Sequence, residues 1–131
     1  MVPMRAVPVL VFAAIAQPAL AQVSCTAPQQ PMLDIELMLG RGGASEARWK
    51  QFLAKDVTPR FPDGLTVYAT TGQWRDPRTG AIGRERSRVL RIIVAPDGAV
   101  QDKIVAVAEA YKKQFRQKSV GVLSREICAA F

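Results

Sequence analysis

From Met32 to Leu39 the chain alternates, with Leu33, Ile35, Leu37 and Leu39 on one face and Asp34 and Glu36 on the other. That two-residue period is the pattern of a strand buried on one side only. Gly40 to Ala44 reads as a flexible loop, and Ser45 is placed to cap a helix whose Trp49, Phe52, Leu53 and Val57 trace an apolar stripe. Thr58-Pro59 closes that helix. After the turn residues Phe61-Pro62-Asp63-Gly64, Leu65, Val67 and Ala69 alternate with Thr66, Tyr68 and Thr70 in a second strand. The glycines and prolines between Gly72 and Gly83 predict a long hairpin connection. A third strand runs from Arg84 to Val94, with Leu90, Ile92 and Val94 on one face and Glu85, Ser87 and Arg91 on the other. Pro96-Asp97-Gly98 turns the chain, Ile104, Val107, Ala108, Tyr111 and Phe115 mark a second helix, and Val120 to Ile127 forms a last β-rich run.

The order strand, helix, strand, strand, helix, strand is that of two split βαβ halves. Its most economical arrangement is an α+β ferredoxin-like βαββαβ sandwich, a four-stranded antiparallel sheet with two helices on one face. In that topology the last strand lies antiparallel beside the first, which brings Cys25 and Cys128 to the same corner.

The N-terminal region follows a different logic. Arg5 precedes an apolar run from Ala6 to Ala16, Gln17-Pro18 interrupts it, and Ala19-Leu20-Ala21 supplies a small-x-small processing site. The chain therefore divides into a signal peptide at 1–21, an extension at 22–31 and one α+β domain at 32–131. The apolar run is too short to span a bilayer and no second one follows, so no transmembrane segment is expected in the mature chain. Export implies a periplasmic or secreted protein, in which an even cysteine count without metal-ligand spacing reads as a Cys25–Cys128 disulfide. Lipidation of Cys25 is the rival reading, although Gln22 stands where a lipoprotein site takes an aliphatic residue.

Of the 131 residues, 49% are hydrophobic and 22% charged, which excludes wholesale disorder. Histidine is absent, removing histidine-based triads and metal sites. No metal and no cofactor are expected, since carboxylates are the only ligands left and they are scattered. Arg5 is the only charge before Gln22, so the mature chain carries 17 Lys and Arg against 11 Asp and Glu, a net +6.

Much of that excess falls at one end of the expected sheet. Arginines 75, 78, 84, 86, 88 and 91 face only Asp76 and Glu85, and the second helix ends among Lys112, Lys113, Arg116 and Lys118. The first helix also begins there. Its first-turn N–H groups, with Gly42, Gly43 and Ser45 before them and Arg41, Arg75 and Arg78 alongside, make an anion-binding candidate for a small molecule or an envelope component. Basic residues at a helix C-terminus also stabilise its dipole without any ligand.

The open sheet face offers a second candidate. Asp34, Glu36, Glu85, Arg91 and Tyr68 would there form an acid pair of raised pKa with an arginine and a tyrosine, sufficient for cofactor-free proton transfer. Cross-strand ion pairs on a wet or dimer-covered face explain the same residues, and a homodimer through that face is one expectation. Trp74 reads as cover for the core's edge. Nucleic acid is not an expected partner, because carboxylates stand where an RNA-binding sheet presents stacking aromatics. A binding or structural module is thus the first reading and a cofactor-independent enzyme the alternative.

Four segments together carry a resemblance: Pro59-Arg60-Phe61-Pro62-Asp63-Gly64-Leu65-Thr66-Val67, Gly72-Gln73-Trp74-Arg75, Arg84-Glu85-Arg86-Ser87 and Tyr111-Lys112-Lys113-Gln114-Phe115-Arg116-Gln117. From about Leu37 to Phe131 the chain resembles the bacterial domain of unknown function family 3574. The resemblance implies a small exported or envelope-associated protein and assigns no catalytic residue. Lys118 departs from the acidic residue of that pattern.

Overall fold

The computed structural model describes residues 23–41 and 43–131. The expected signal peptide at 1–21 and Gly42 of the expected anion site lie outside the described residues. The elements are β1 (Gln30–Gly40), α1 (Glu46–Phe52), β2 (Thr66–Arg75), β3 (Ile82–Val94), α2 (Val100–Phe115) and β4 (Gly121–Ala129). All neighbouring strands are antiparallel, in the order β2-β3-β1-β4. This is the expected ferredoxin-like sandwich.

β1 follows its alternation. Ile35, Leu37 and Leu39 are buried against the helices, together with Leu90 and Ile92 of β3. Ser45 caps α1 by accepting the Arg48 N–H at 3.2 Å. The helix does not continue regularly to Val57 as its stripe suggests, but widens into a π-helical turn over Leu53–Val57, closed by the Thr58 N–H to the Leu53 carbonyl at 2.9 Å. In such a turn residues five apart come onto one face. Phe52 and Val57 are accordingly both fully buried, while Leu53 is only partly so.

α2 presents Val100, Ile104, Val107, Tyr111 and Phe115 to the core. Tyr111 stacks on Phe115 with ring centroids 4.3 Å apart, and Phe52 meets Tyr111 edge-on at 5.2 Å. Such pairs add specificity of packing to the area they bury. The Tyr111 hydroxyl donates to the Gly40 carbonyl at 2.6 Å, fastening the last turn of α2 to the end of β1.

The β2–β3 connection is shorter than the run of glycines suggests. Both strands continue through Gly72 and Gly83, and only residues 76–81 are turn. Trp74 explains the continuation. It lies opposite Gly83, and a Cβ on that glycine would sit 2.6 Å from the indole ring. The glycine thus gives the indole a surface to lie on. Trp74 itself is 50% exposed, so it covers the hairpin and not the edge of the core.

β1 last pairs with β3 at Gly40 and Ser87, whereas β2 and β3 stay paired out to Arg75 and Ile82. The hairpin therefore projects beyond the body by five residues of each strand, about 16 Å. At the other end of β1, Pro31 is opposite Cys128, and a disulfide joins Cys25 to Cys128 with Cα atoms 5.5 Å apart.

Candidate functional site

The expected basic pole exists as a region, since the β1–α1 loop, the hairpin arm and the end of α2 all lie at one end of the sheet. Its proposed ligands are divided between two places. Arg75 and Arg78 belong to the far end of the arm. The Arg75 Nε donates to the Gly80 carbonyl at 3.4 Å, and the Asp76 carboxylate holds the turn by accepting the Arg78 and Thr79 N–H groups at 2.8 and 3.2 Å. Ser45 is occupied with its own helix. Gly43 adopts a left-handed conformation (φ 79°) that favours glycine. The arm's projection keeps Arg75 and Arg78 away from Arg41 and the start of α1.

Nearer the body, Arg41 meets a different pair of arginines. A depression of about 440 Å3 is lined by Arg41, Ala69, Thr70, Thr71, Arg86, Ser87 and Arg88. Ala69 is opposite Arg88 and Thr71 opposite Arg86, so these four share one face of the hairpin, while the Thr70 and Ser87 hydroxyls bond each other at 2.9 Å. The Arg41 N–H donates to the Arg86 carbonyl at 3.1 Å, drawing the loop after β1 onto β3.

Glu46 is the counter-ion here. Its Oε2 lies 3.2 Å from Nη2 of Arg41 and 2.5 Å from Nη2 of Arg88. Arg88 stacks over the Trp49 ring at 4.9 Å, and its Nε is buried without a hydrogen-bond partner among the described residues. Arg86 is exposed and makes no side-chain hydrogen bond or ion pair among them. Two guanidinium groups thus share the Glu46 carboxylate, and the third, that of Arg86, stands beside them without a partner among the described residues. Arg86 and Arg88 were visible in the sequence as part of an arginine run, and their spacing from Leu90 by even steps already placed them on the helix-side face.

The open-face residues form a closed ion cluster. Asp34 accepts from Arg91 Nε and Nη2 at 2.8 and 2.9 Å and from Arg125 Nε and Nη2 at 2.9 and 2.5 Å. Arg125 also lies 3.5 Å from Glu36 and Arg91 4.0 Å from it. Asp34 is only 2% exposed because the guanidinium groups lie over it. Its pKa is lowered, chiefly by the Arg91 hydrogen bonds, against the opposing effect of burial and with help from Arg125. Arg91 is correspondingly raised, first by Asp34 and then by Tyr68. A raised-pKa acid pair is therefore corrected to an ionised carboxylate clamped by two arginines, which does not supply a proton near neutral pH.

Glu85 is not part of that cluster. It lies six residues from Arg91 along β3, about 20 Å in an extended strand. A Cβ added to Gly40 would meet its Oε1 at 2.7 Å and the Gln117 Oε1 at 2.9 Å, which puts Glu85 at the basic pole. Tyr111 is close enough to respond. Burial, with Glu85 next, pushes its pKa up to about 12, against Arg88 and Arg41. Of the five enzyme candidates, Asp34, Glu36, Arg91 and Tyr68 thus meet on the open face, and Glu85 stands apart from them. Among the described residues no group of three or more acidic or cysteine side chains can hold a metal ion, and no helix is long and apolar enough to cross a membrane.

The family model described as "Protein of unknown function (DUF3574)" matches residues 35–131, from inside β1 to the last residue. The chain belongs to DUF3574. The matched region of this DUF3574 protein contains both helices, the arm and all the arginines of the 440 Å3 depression. No curated protein matches it in sequence. Several solved structures are similar in fold. A phage SAM lyase in complex with S-methyl-5'-thioadenosine aligns at TM-score 0.58 and 16% identity, covering 76% of this chain and 90% of its own. The B. subtilis GlnK–ATP complex aligns at 0.53 and 14%, covering 79% and 85%, and CutA from Synechococcus elongatus at 0.51 and 13%, covering 76% and 80%. At these identities the likeness concerns the fold alone.

Proposed function

We propose that this DUF3574 protein is an exported, non-catalytic binding module that takes a small anionic ligand at its basic pole. The observation that carries the reading is the meeting of Arg41, Arg86 and Arg88 around one depression, with Glu46 as the shared counter-ion of Arg41 and Arg88 and none at Arg86 among the described residues. An anion there would accept from Arg86 and Thr71 at once and compete with Glu46 for the other two guanidinium groups. Arginine suits the role because its planar donors bind phosphate or carboxylate in pairs. Two of the fold relatives are complexes with adenosine-bearing molecules, S-methyl-5'-thioadenosine and ATP. They support a ligand-binding use of this fold without indicating where a ligand sits in this chain.

The disulfide supports the oxidising compartment that the signal peptide implies. It also occupies the Sγ of Cys25 that lipidation would need. Exposed Met38, Tyr68 and Leu123 surround a charge-balanced cluster on the open face, and that face is our candidate contact between two copies of the chain.

Isothermal titration of the disulfide-bonded protein with inorganic pyrophosphate tests the binding site. Saturable binding is expected, weakened at least tenfold by Arg86→Glu and little changed by Arg75→Glu with Arg78→Glu. Binding indifferent to Arg86→Glu overturns the assignment.

A further inference from the structure

The end of the sheet opposite the basic pole holds a second recess. β3 outruns β2 there. Thr66 pairs with Arg91, while Ile92, Ile93 and Val94 continue with only β1 beside them, opposite Ile35, Asp34 and Leu33. Successive residues of an antiparallel strand turn their N–H and C=O groups to opposite sides. Main-chain groups of this overhang therefore face the gap where β2 has not yet begun.

The preceding segment does not fill the gap. Among the described residues no backbone hydrogen bond joins Phe61–Leu65 to Ile92–Val94; the segment turns on itself, with the Gly64 N–H donating to the Phe61 carbonyl at 3.4 Å. Between them lies a cavity of about 670 Å3. That is ample for a small organic molecule. Phe61, Leu65, Ile93, Val94 and Met32 give it apolar walls, and Arg60, Arg91 and Lys103 are its basic lining residues, Arg91 being held by Asp34.

The acidic residues of the rim are Asp63 and Asp97. Asp97 is already engaged, accepting the Ala99 N–H at 2.6 Å and lying 3.9 Å from Lys103. Arg60 bonds a neutral carbonyl, that of Asp56 at 2.5 Å, and is in no ion pair among the described residues. Asp63 makes no side-chain hydrogen bond or ion pair among the described residues, so Arg60, Arg91 and Lys103 exceed the two carboxylates of the lining by one charge. An apolar cavity with that single cationic excess suits an amphipathic molecule of one negative charge.

We propose that this recess is a second binding site, separate from the basic pole, for an amphipathic monoanion. Its apolar body would lie between Phe61 and Ile93, and its carboxylate or sulfonate head at Lys103 and Arg60. Titration of the disulfide-bonded protein with octanoate and with 1-octanol, by calorimetry or by displacement of 1-anilinonaphthalene-8-sulfonate, separates the parts of this claim. Octanoate is expected to bind saturably and more tightly than octanol. Ile93→Glu, on a half-buried floor position, should weaken it at least tenfold. Lys103→Glu, at the helix surface where folding is not at risk, should weaken octanoate two- to fivefold and leave octanol unchanged. Arg86→Glu should leave octanoate binding intact. The proposal fails if octanoate does not saturate, if it binds no better than octanol, if Lys103→Glu has no effect on it, or if Arg86→Glu removes it, the last placing the ligand at the basic pole.

Discussion

Replacing Tyr111 by phenylalanine should make the protein less stable at neutral pH and more stable than the parent in strong alkali. At neutral pH the variant loses one hydrogen bond, from the hydroxyl to the Gly40 carbonyl at 2.6 Å. A buried bond of this kind contributes about 1.5 kcal/mol, since the carbonyl is left without its donor. In the parent, burial raises the Tyr111 pKa from 10.0 to about 12. The folded state therefore holds the phenolic proton where the unfolded state has released it, and stability falls as pH climbs from 10 through 12. Two pKa units correspond to about 2.7 kcal/mol lost over that window, and about half of it by pH 11. The variant has no such loss. Every other ionisable side chain is common to the two proteins and cancels in the difference. Urea unfolding of both at intervals from pH 8 to 11.5 should show the parent's advantage shrinking to zero near pH 11. A difference that stays constant over that range would refute a buried, neutral Tyr111.

Cys25→Ser with Cys128→Ser opens a link spanning 103 residues. The chain-entropy relation gives about 4.7 kcal/mol as the upper end of the loss, and thermal unfolding in oxidised and reduced buffer should show a drop of about 2–5 kcal/mol. Asp34→Asn should destabilise at pH 7 and remove part of the acid sensitivity. The depressed Asp34 pKa adds stability above the unfolded value of about 3.9 that disappears as pH falls through the folded one, so parent and variant should converge in acid-unfolding curves. Trp74 is half exposed and Trp49 is 2% exposed. Acrylamide should quench the parent's fluorescence in two components, and Trp74→Phe should remove the accessible one.

Much of the architecture is legible because it depends on period. Leu33 through Leu39 and the α2 stripe each declare one buried face, and the strand and helix order leaves few ways to cover it. The arm is hidden in the sequence for a local reason. Gly72 and Gly83 look like breakers until the ring of Trp74 is placed over Gly83, a contact between residues on different strands. The same limit applies to the anion site. Arginine count locates the pole, but whether Arg75 or Arg86 reaches Arg41 depends on how far the strands stay paired. Asp34 is the strongest case. Its pKa direction is set by Arg91 and Arg125, which lie 57 and 91 residues away and become neighbours only through the β3-β1-β4 order. A local pattern of two acids on one strand contains no trace of them.

β4 contributes no fully buried side chain and has a single neighbour, β1. It is held mainly by its ladder, at one end of which the cysteine link pins Cys128. Such a strand cannot detach from both ends alike. It should open like a zip with one end sewn, from Gly121 toward Cys128, while β1, β3 and the helices remain closed. Hydrogen exchange along β4 should then follow a gradient, fastest near Val122 and slowest near Ile127, and reduction of the disulfide should flatten it.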